Sequence, residues 1–281
     1  MPQKLIFVDI DGTLTAPGSN TPPDSALEAI QAARALGHKV YLCSGRNPDM
    51  LSPLLRYDFD GFIGSAGGYV VSDGKVLFDC PMTEAQRDTA MRLLQENGVF
   101  RTVEAKDATF GDESLGDFLS SAGEGNSEIE RWRRALADSL NIRPMREYDG
   151  RPIYKVVFMC STAAQLVPAR EALESEFHFV VQDVAAHNCL NGELINRRFD
   201  KGTGVRCVAD ALGVPLADTV GFGDSMNDLE MIETVGVSVC MENGSPALKA
   251  RSDLVCPAVE ADGLAWAFRK LGLCGKNALS E

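Results

Sequence analysis

No stretch of this chain reaches the roughly 18 consecutive apolar residues that a membrane helix needs, and its longest apolar runs are strand-sized. Residues 1–8 contain charge and lead straight into a strand, so no signal peptide is visible and a cytoplasmic protein is expected. Low-complexity tracts are missing too, and 45% hydrophobic with 24% charged residues is the composition of an ordinary globular chain. Basic residues are in deficit, 27 against 40 acidic, a net charge of −13. That disfavours nucleic acid and anionic membranes as partners, while a small anionic substrate stays open because local cations decide its binding. Histidine is scarce, with three residues, and the eight cysteines form no C-x-x-C pair. Several of them sit in apolar runs such as "VYLC" and "VSVC", so Cys43, Cys80, Cys160, Cys189, Cys207, Cys240, Cys256 and Cys274 read as reduced core residues rather than disulfides or zinc ligands.

Nucleotide signatures are absent as well. There is no G-x-x-x-x-G-K-[ST] loop. After "TVGFG", Gly221-x-Gly223 begins like a dinucleotide fingerprint, but Met226 stands at the third glycine position and Asp224 would aim a carboxylate at the pyrophosphate. An EF-hand reading of the N-terminal acidic stretch fails because Thr13 and Leu14 occupy the places of an acidic or amide residue and a glycine.

What is present is a rhythm. At 281 residues, two domains or one domain with a large insertion are expected. A strand over 4–9 is followed by a loop over 15–23 and then by "DSALEAIQAARALG", with Leu27, Ile30 and Leu36 at helical spacing, Asp24 as cap and Gly37 as stop. "KVYLC" is a second strand, ending at Ser44-Gly45-Arg46; a short helix over about 47–56 and a strand near "GFIGS" follow. "YVVSDGKVLF" reads as a hairpin turning at Asp73-Gly74. Beyond Pro81 come three capping boxes, Thr83 to Gln86, Ser127 to Glu130 and Thr162 to Gln165, among the strand-like "GVFRTVEA", "IYKVVFMC" and "FHFVVQDV", with "NCLNGELIN" as a further hairpin. From Lys201 the alternation returns: helix 201–212, strand 218–223, helix 225–234, strand 236–240, a short helix after Pro246, strand 254–256 and helix 262–271. The fold expected is α/β, a Rossmann-like parallel-sheet core made of 1–81 and 187–281, interrupted by an α+β domain over 82–186.

In "IFVDIDGTLT" a buried strand ends in two aspartates one residue apart, a costly placement unless something cationic sits between them. Open parallel sheets place their sites outside the carboxyl ends of the strands. Asp9 and Asp11, Ser44-Gly45-Arg46, and Asp224 with Asn227 and Asp228 all fall there, and Lys201 opens the helix that re-enters the core. None is specific alone: D-x-D-G is often an acidic turn and a single lysine is usually solvated. Together, the carboxylates of Asp9, Asp11 and Asp224 around one point suit a hard divalent cation such as Mg²⁺, and Lys201 with the Ser44 hydroxyl suits a phosphate on its open side. Asp9 could attack phosphorus, Asp11 could protonate the leaving oxygen and later deprotonate water, and Gly12 leaves the backbone room to turn.

Those residues in that order resemble the four motifs of the haloacid-dehalogenase-like superfamily: "DIDGTLT", "CSGR", "DKGTGV" and "GFGDSMNDLEM". The long insertion between the second and third, and "MENGSPALKARSDLV" after the fourth, are similar to the Cof-like phosphatases of subfamily IIB, with a C2 type B cap. The resemblance implies Asp9 as nucleophile, Asp11 as general acid/base, and Mg²⁺ held by Asp9, the Asp11 carbonyl and Asp224, with Asp228 in support. It implies phosphate binding by Ser44 and Lys201, lined by Gly45, Arg46 and Asn227. Relatives usually carry Asn-Gly-Ala near the third strand end, where this chain has "GSAGG", residues 64–68.

The activity implied is a Mg²⁺-dependent phosphatase acting on a small phosphorylated metabolite, a sugar phosphate foremost, as a monomer or homodimer. A phosphosugar mutase and a non-catalytic phosphometabolite binder are the alternatives. The basic run Arg131, Arg133, Arg134, Arg143, Arg146 and Arg151 reads as a solvated face, whereas Arg197 and Arg198, just before Lys201, are nearer candidates for substrate contact.

Overall fold

The computed structural model describes residues 2–116, 142–184 and 189–275, and the backbone alone for 182–184 and 189. The chain divides into two compact units: Met1–Arg46, Leu51–Asp79 and Phe199–Glu281 form one, and Asn47–Met50 with Cys80–Arg198 form the other.

The first unit is built on an eight-stranded sheet in the order β14-β13-β12-β1-β2-β3-β4-β5. Its strands are β1 (Leu5–Val8), β2 (Lys39–Cys43), β3 (Gly61–Gly64), β4 (Tyr69–Ser72), β5 (Lys75–Asp79), β12 (Thr219–Gly223), β13 (Val237–Met241) and β14 (Leu254–Cys256). The six from β14 to β3 run parallel, each reached by a crossover; the hairpin β4–β5 adds an antiparallel edge, turning through left-handed Asp73 and Gly74. A parallel strand covered on both faces needs no polar alternation, and β1 is fully buried from Leu5 to Val8.

The two chain segments meet at the centre. Leu5↔Thr219 through Val8↔Phe222 sets β1 against β12, and Val8↔Leu42 sets it against β2. Asp9 N donates to Phe222 O at 3.0 Å, so the register carries one step past the strand and brings the ends of β1, β2 and β12 side by side. Here β1 continues to β2 and β3 on one side while β12 continues to β13 and β14 on the other, the place where open sheets form a crevice.

The helix Asp24–Ala35 starts one residue earlier than a cap at Asp24 would allow: Pro23 occupies that position, and Asp24 is instead an acidic group in the first turn. Its buried face is Ala26, Ala29, Ile30 and Ala33, whereas Leu36 is half exposed at the C-terminus. Alanines let the helix lie close, an inward face that large-residue spacing does not mark. The expected helix over 47–56 is a single turn, Pro48–Leu51, and a 3₁₀ turn, Leu55–Tyr57.

The second unit carries a six-stranded sheet in the order β10-β11-β9-β6-β7-β8. The strands are β6 (Phe100–Ala105), β7 (Thr109–Gly111), β8 (Ile142–Pro144), β9 (Ile153–Cys160), β10 (Phe177–Val184) and β11 (Cys189–Asn196). Helices Glu84–Glu96 and Val167–Leu173 pack on one face, Ala90, Leu94, Ala169 and Leu173 against Val103, Val156, Phe158 and Leu194. Thr83 and Gln86 close the first capping box, and Gln165 accepts from Thr162 N at 3.0 Å at the start of a 3₁₀ turn; the Ser127 to Glu130 box lies outside the described residues. "NCLNGELIN" is not a hairpin. From Cys189 to Asn196 it runs as one strand between β10 and β9, because Leu190 and Leu194 alternate into the core and override the turn propensity of Asn191-Gly192. That strand carries the inserted unit to Arg198 rather than 186.

Candidate active site

Asp9 stands one residue beyond β1 and Asp224 one residue beyond β12, so adjacent parallel strands deliver both carboxylates to one end of the sheet. Asp228 joins them from the 3₁₀ turn Met226–Asp228. One oxygen from each of Asp9, Asp224 and Asp228 lies within 4.8 Å of the others, the one such acidic group among the described residues. Asp9 is 5% exposed and Asp228 fully buried.

Lys201 is the counter-ion. It opens the helix Lys201–Leu212, whose capping box Asp200–Thr203 fixes the first turn, and is itself 2% exposed. Its Nζ donates to Asp9 Oδ1 at 2.6 Å and Asp228 Oδ1 at 2.5 Å. Burial lowers the lysine's pKa, but the charges of Asp228 and Asp9 outweigh it and hold the pKa well above the ordinary value. Burial, and next the charge of Asp228, raise Asp9. The same two causes in the same order raise Asp224 to about 6. Asp228 Oδ2 accepts from Asp224 N at 3.0 Å and Ser225 N at 3.1 Å, so this residue ties Lys201 to the backbone that carries Asp224.

Asp11 behaves differently. Its carboxylate is not in the acidic cluster but is gripped by Arg46, Nη2 to Oδ1 at 2.7 Å and Nε to Oδ2 at 2.9 Å, with Gly18 N donating to Oδ1 at 2.9 Å. Arg46 is held in turn by Asn20 Oδ1 and Ser19 O. The three carboxylates that converge are therefore Asp9, Asp224 and Asp228. The guanidinium, expected beside phosphate, orients Asp11 by a bidentate pair. Gly12 shows why a side chain is missing after Asp11: its φ is +85°, and a Cβ there would lie 2.4 Å from Asp224 Oδ2.

Ser44 is buried at the end of β2, its N donating to Ile63 O and its Oγ accepting from Arg46 N at 3.1 Å. A Cβ on Gly45 would meet nothing within 4 Å, so the loop is open at that residue. Asn227 is exposed, with Oδ1 taken by Ser225 Oγ, and is not drawn into the cluster. Cys43 neighbours the charged groups, but burial pushes its thiol far up, so it stays protonated and is no nucleophile. Arg197 donates to Glu174 O and meets His178, Arg146 pairs with Glu113, and Arg151 with Asp107 and Asp149, so these arginines are engaged within the second unit. Arg131, Arg133 and Arg134 lie outside the described residues.

Two supporting contacts escape a motif reading. Asn243 Nδ2 donates to Gly12 O at 2.8 Å, and Ser245 N to Asp224 O at 2.8 Å, so the loop after β13 buttresses both acidic segments. Both lie in "MENGSPALKARSDLV", just past a parallel strand's carboxyl end, a segment whose resemblance gave neither residue a role.

The donor set is hard oxygen. Against one ammonium stand three carboxylates, Asp9, Asp224 and Asp228, an excess of two negative charges when all are ionised, and a divalent cation fits it. Among the described residues no helix is long and apolar enough to cross a membrane.

A family model described as haloacid dehalogenase-like hydrolase matches residues 6–268. The chain is 30% identical over 280 residues to YkrA of Bacillus subtilis (strain 168), covering 97% of this chain and 99% of that one. It is 28% identical over 295 residues to the 5-amino-6-(5-phospho-D-ribitylamino)uracil phosphatase YwtE of the same organism, covering 98% and 100%. The fold is shared with the subclass IIB sugar phosphatase BT4131, at a TM-score of 0.76 and 21% identity over 96% of this chain and 100% of that one. With nearly its whole length matched, and with a Rossmann-like core that carries an inserted α+β unit, the chain belongs to the haloacid dehalogenase-like hydrolases, in their Cof-like, subclass IIB branch, and is a phosphatase.

Proposed function

We propose that this phosphatase hydrolyses a small phosphorylated sugar or polyol, with Asp9 as nucleophile and Mg²⁺ as cofactor. The observation that carries the reading is a buried carboxylate at a strand end, one oxygen held at 2.6 Å by Lys201, in a cluster with two excess negative charges once its three carboxylates are ionised. The second Asp9 oxygen forms the bond to phosphorus as the bond to the leaving oxygen breaks. To protonate that oxygen Asp11 must first take up a proton and give up one of its two hydrogen bonds from Arg46. A water then loses a proton to Asp11 and attacks the aspartyl-phosphate, restoring Asp9 and releasing inorganic phosphate. Lys201 has three N–H donors and gives two to Asp9 and Asp228, leaving one for a phosphate oxygen; Ser44, whose Oγ accepts from Arg46 N, keeps its own proton to donate. Asp9 and Asp224, with Asp228 in support, would hold the Mg²⁺, which when bound neutralises the carboxylates and the phosphate charge.

The residues assembled on the first unit engage phosphate rather than what it is attached to. The inserted unit is therefore assigned the choice of leaving group. Relatives named for a phosphoribityl compound and for sugar phosphates support a polyhydroxylated one. Cytoplasmic placement is supported by the seven described cysteines, none of which is in a disulfide.

A phosphate-release screen over phosphorylated metabolites is expected to find sugar and polyol phosphates turned over with Mg²⁺ and turnover lost in chelator. Isomerised sugar phosphate without free phosphate would overturn hydrolysis.

The cluster also sets a pH dependence. A carboxylate whose folded pKa is raised keeps a proton that the unfolded chain has released, so folding stability falls as pH climbs through the folded value. For Asp224 that window runs from 3.8 to about 6, and raised Asp9 extends it upward. In chelator the melting temperature should fall between about pH 5 and about pH 8, and millimolar Mg²⁺ should raise it by roughly 5 °C at the higher pH and by less at the lower. An equal Mg²⁺ effect at both pH values would count against a cation at these carboxylates.

A further inference from the structure

We infer that the turn Ser65-Ala66-Gly67 is a positioning element that fixes the spacing between Ser44 and Lys201. All three residues have positive φ, 51°, 58° and 110°. For serine and alanine the left-handed region is unfavourable, because Cβ crowds the following carbonyl. Ser65 is also 1% exposed, and its Oγ has no hydrogen-bond partner. Strain and an unsatisfied hydroxyl in one short turn need compensation, and backbone held this way gathers where geometry matters.

The compensation lies in what the turn touches. Ser65 N donates to Arg46 O at 2.8 Å and Ala66 N to Ser44 O at 3.0 Å. Consecutive amides thus pin the carbonyls on either side of Gly45. A trans peptide is planar, with C=O and N–H on opposite sides, so pinning the Ser44 carbonyl fixes the plane of the Ser44–Gly45 peptide, and with it the backbone that carries the Ser44 hydroxyl. On its other side the turn abuts the helix that Lys201 opens: a Cβ on Gly67 would stand 2.1 Å from Asp200 O and 2.6 Å from Asp200 C. Asp200 is that helix's N-cap, the residue before Lys201. Left-handed geometry at 65 and 66 turns two amides toward the Ser44 loop while presenting a bare α-carbon to Asp200.

The inference rests on Ser44 and Lys201 holding the phosphate. Its test is the inhibition constant for inorganic phosphate, with KM, kcat and melting temperature, in Gly67→Ala, Ser65→Gly and Ser44→Ala, using para-nitrophenyl phosphate as substrate. Gly67→Ala forces Asp200 and the turn apart and is expected to raise both the phosphate inhibition constant and KM about tenfold, since displacements near 1 Å cost up to about a hundredfold. A merely structural residue would lower the melting temperature and leave both constants alone. Ser65→Gly adds no atom, removes strain and the unpaired hydroxyl, and loosens the turn. It should melt at or above the wild-type temperature yet bind phosphate several-fold more weakly, and it decides the matter if Gly67→Ala does not fold. If Ser44→Ala weakens phosphate while Ser65→Gly and any folded Gly67→Ala do not, the positioning role is wrong and the phosphate site stands. If Ser44→Ala leaves phosphate inhibition unchanged, the phosphate site itself is wrong, and the inference goes with it.

Discussion

Asp9→Asn is expected to lower phosphate release by about 10⁴-fold or more while the protein stays folded. Asparagine keeps the shape of the side chain, and its amide oxygen can still accept from Lys201, so the lost property is the charge and nucleophilicity of one oxygen. Few alternatives can replace it. Asp11 is committed to Arg46, Asp228 accepts from Lys201, Asp224 N and Ser225 N, and Cys43 is held protonated by burial. Stability should move the other way. Asp9 is buried beside two other carboxylates, and removing one charge relieves repulsion that Lys201 only partly offsets. In chelator above about pH 8, where Asp9 is ionised, the variant should therefore melt at or above the wild-type temperature. Turnover of para-nitrophenyl phosphate measured beside a melting curve separates the two effects, and comparable turnover in mutant and wild type would remove Asp9 from the chemistry.

The fold is readable in the sequence where local pattern and global topology agree. Apolar strands alternating with capped helices announce the parallel core, and Asp9, Ser44 and Asp224 are noticeable because each follows such a strand. What local pattern does not carry is register between distant segments. That Asp9 lies beside Asp224 follows only once β1 pairs with β12, and that Asp11 turns to Arg46 depends on a contact across 35 residues. The same limit applies to "NCLNGELIN", whose Asn-Gly favours a turn until strands on both sides claim it. It applies to the alanine face of Asp24–Ala35, which is apolar by closeness rather than by size. "GSAGG" differs again: its departure from relatives is visible in the letters, but its left-handed backbone is not.

Lys201→Met carries the second large effect, and it tests the electrostatics rather than the nucleophile. The ammonium is 2% exposed, with Asp9 at 2.6 Å and Asp228 at 2.5 Å. A buried pair broken from one side leaves charge without compensation, at a cost of about 3–5 kcal/mol. Methionine fills the space, so the loss is electrostatic rather than a cavity. In chelator the melting temperature should drop by roughly 10 °C. Mg²⁺ should recover more of that loss than it adds to the wild type, because the cluster now has three carboxyl groups and no internal cation. Catalysis should not recover with it: the N–H left over for phosphate is gone, and turnover is expected to stay at least about 100-fold down with Mg²⁺ present. Lys201→Arg should rescue neither, since a planar fork does not fit where a compact ammonium bridges two oxygens in a closed space. A methionine variant that melted like the wild type in chelator, or turned over normally with Mg²⁺, would show that the cluster balances its charge without Lys201.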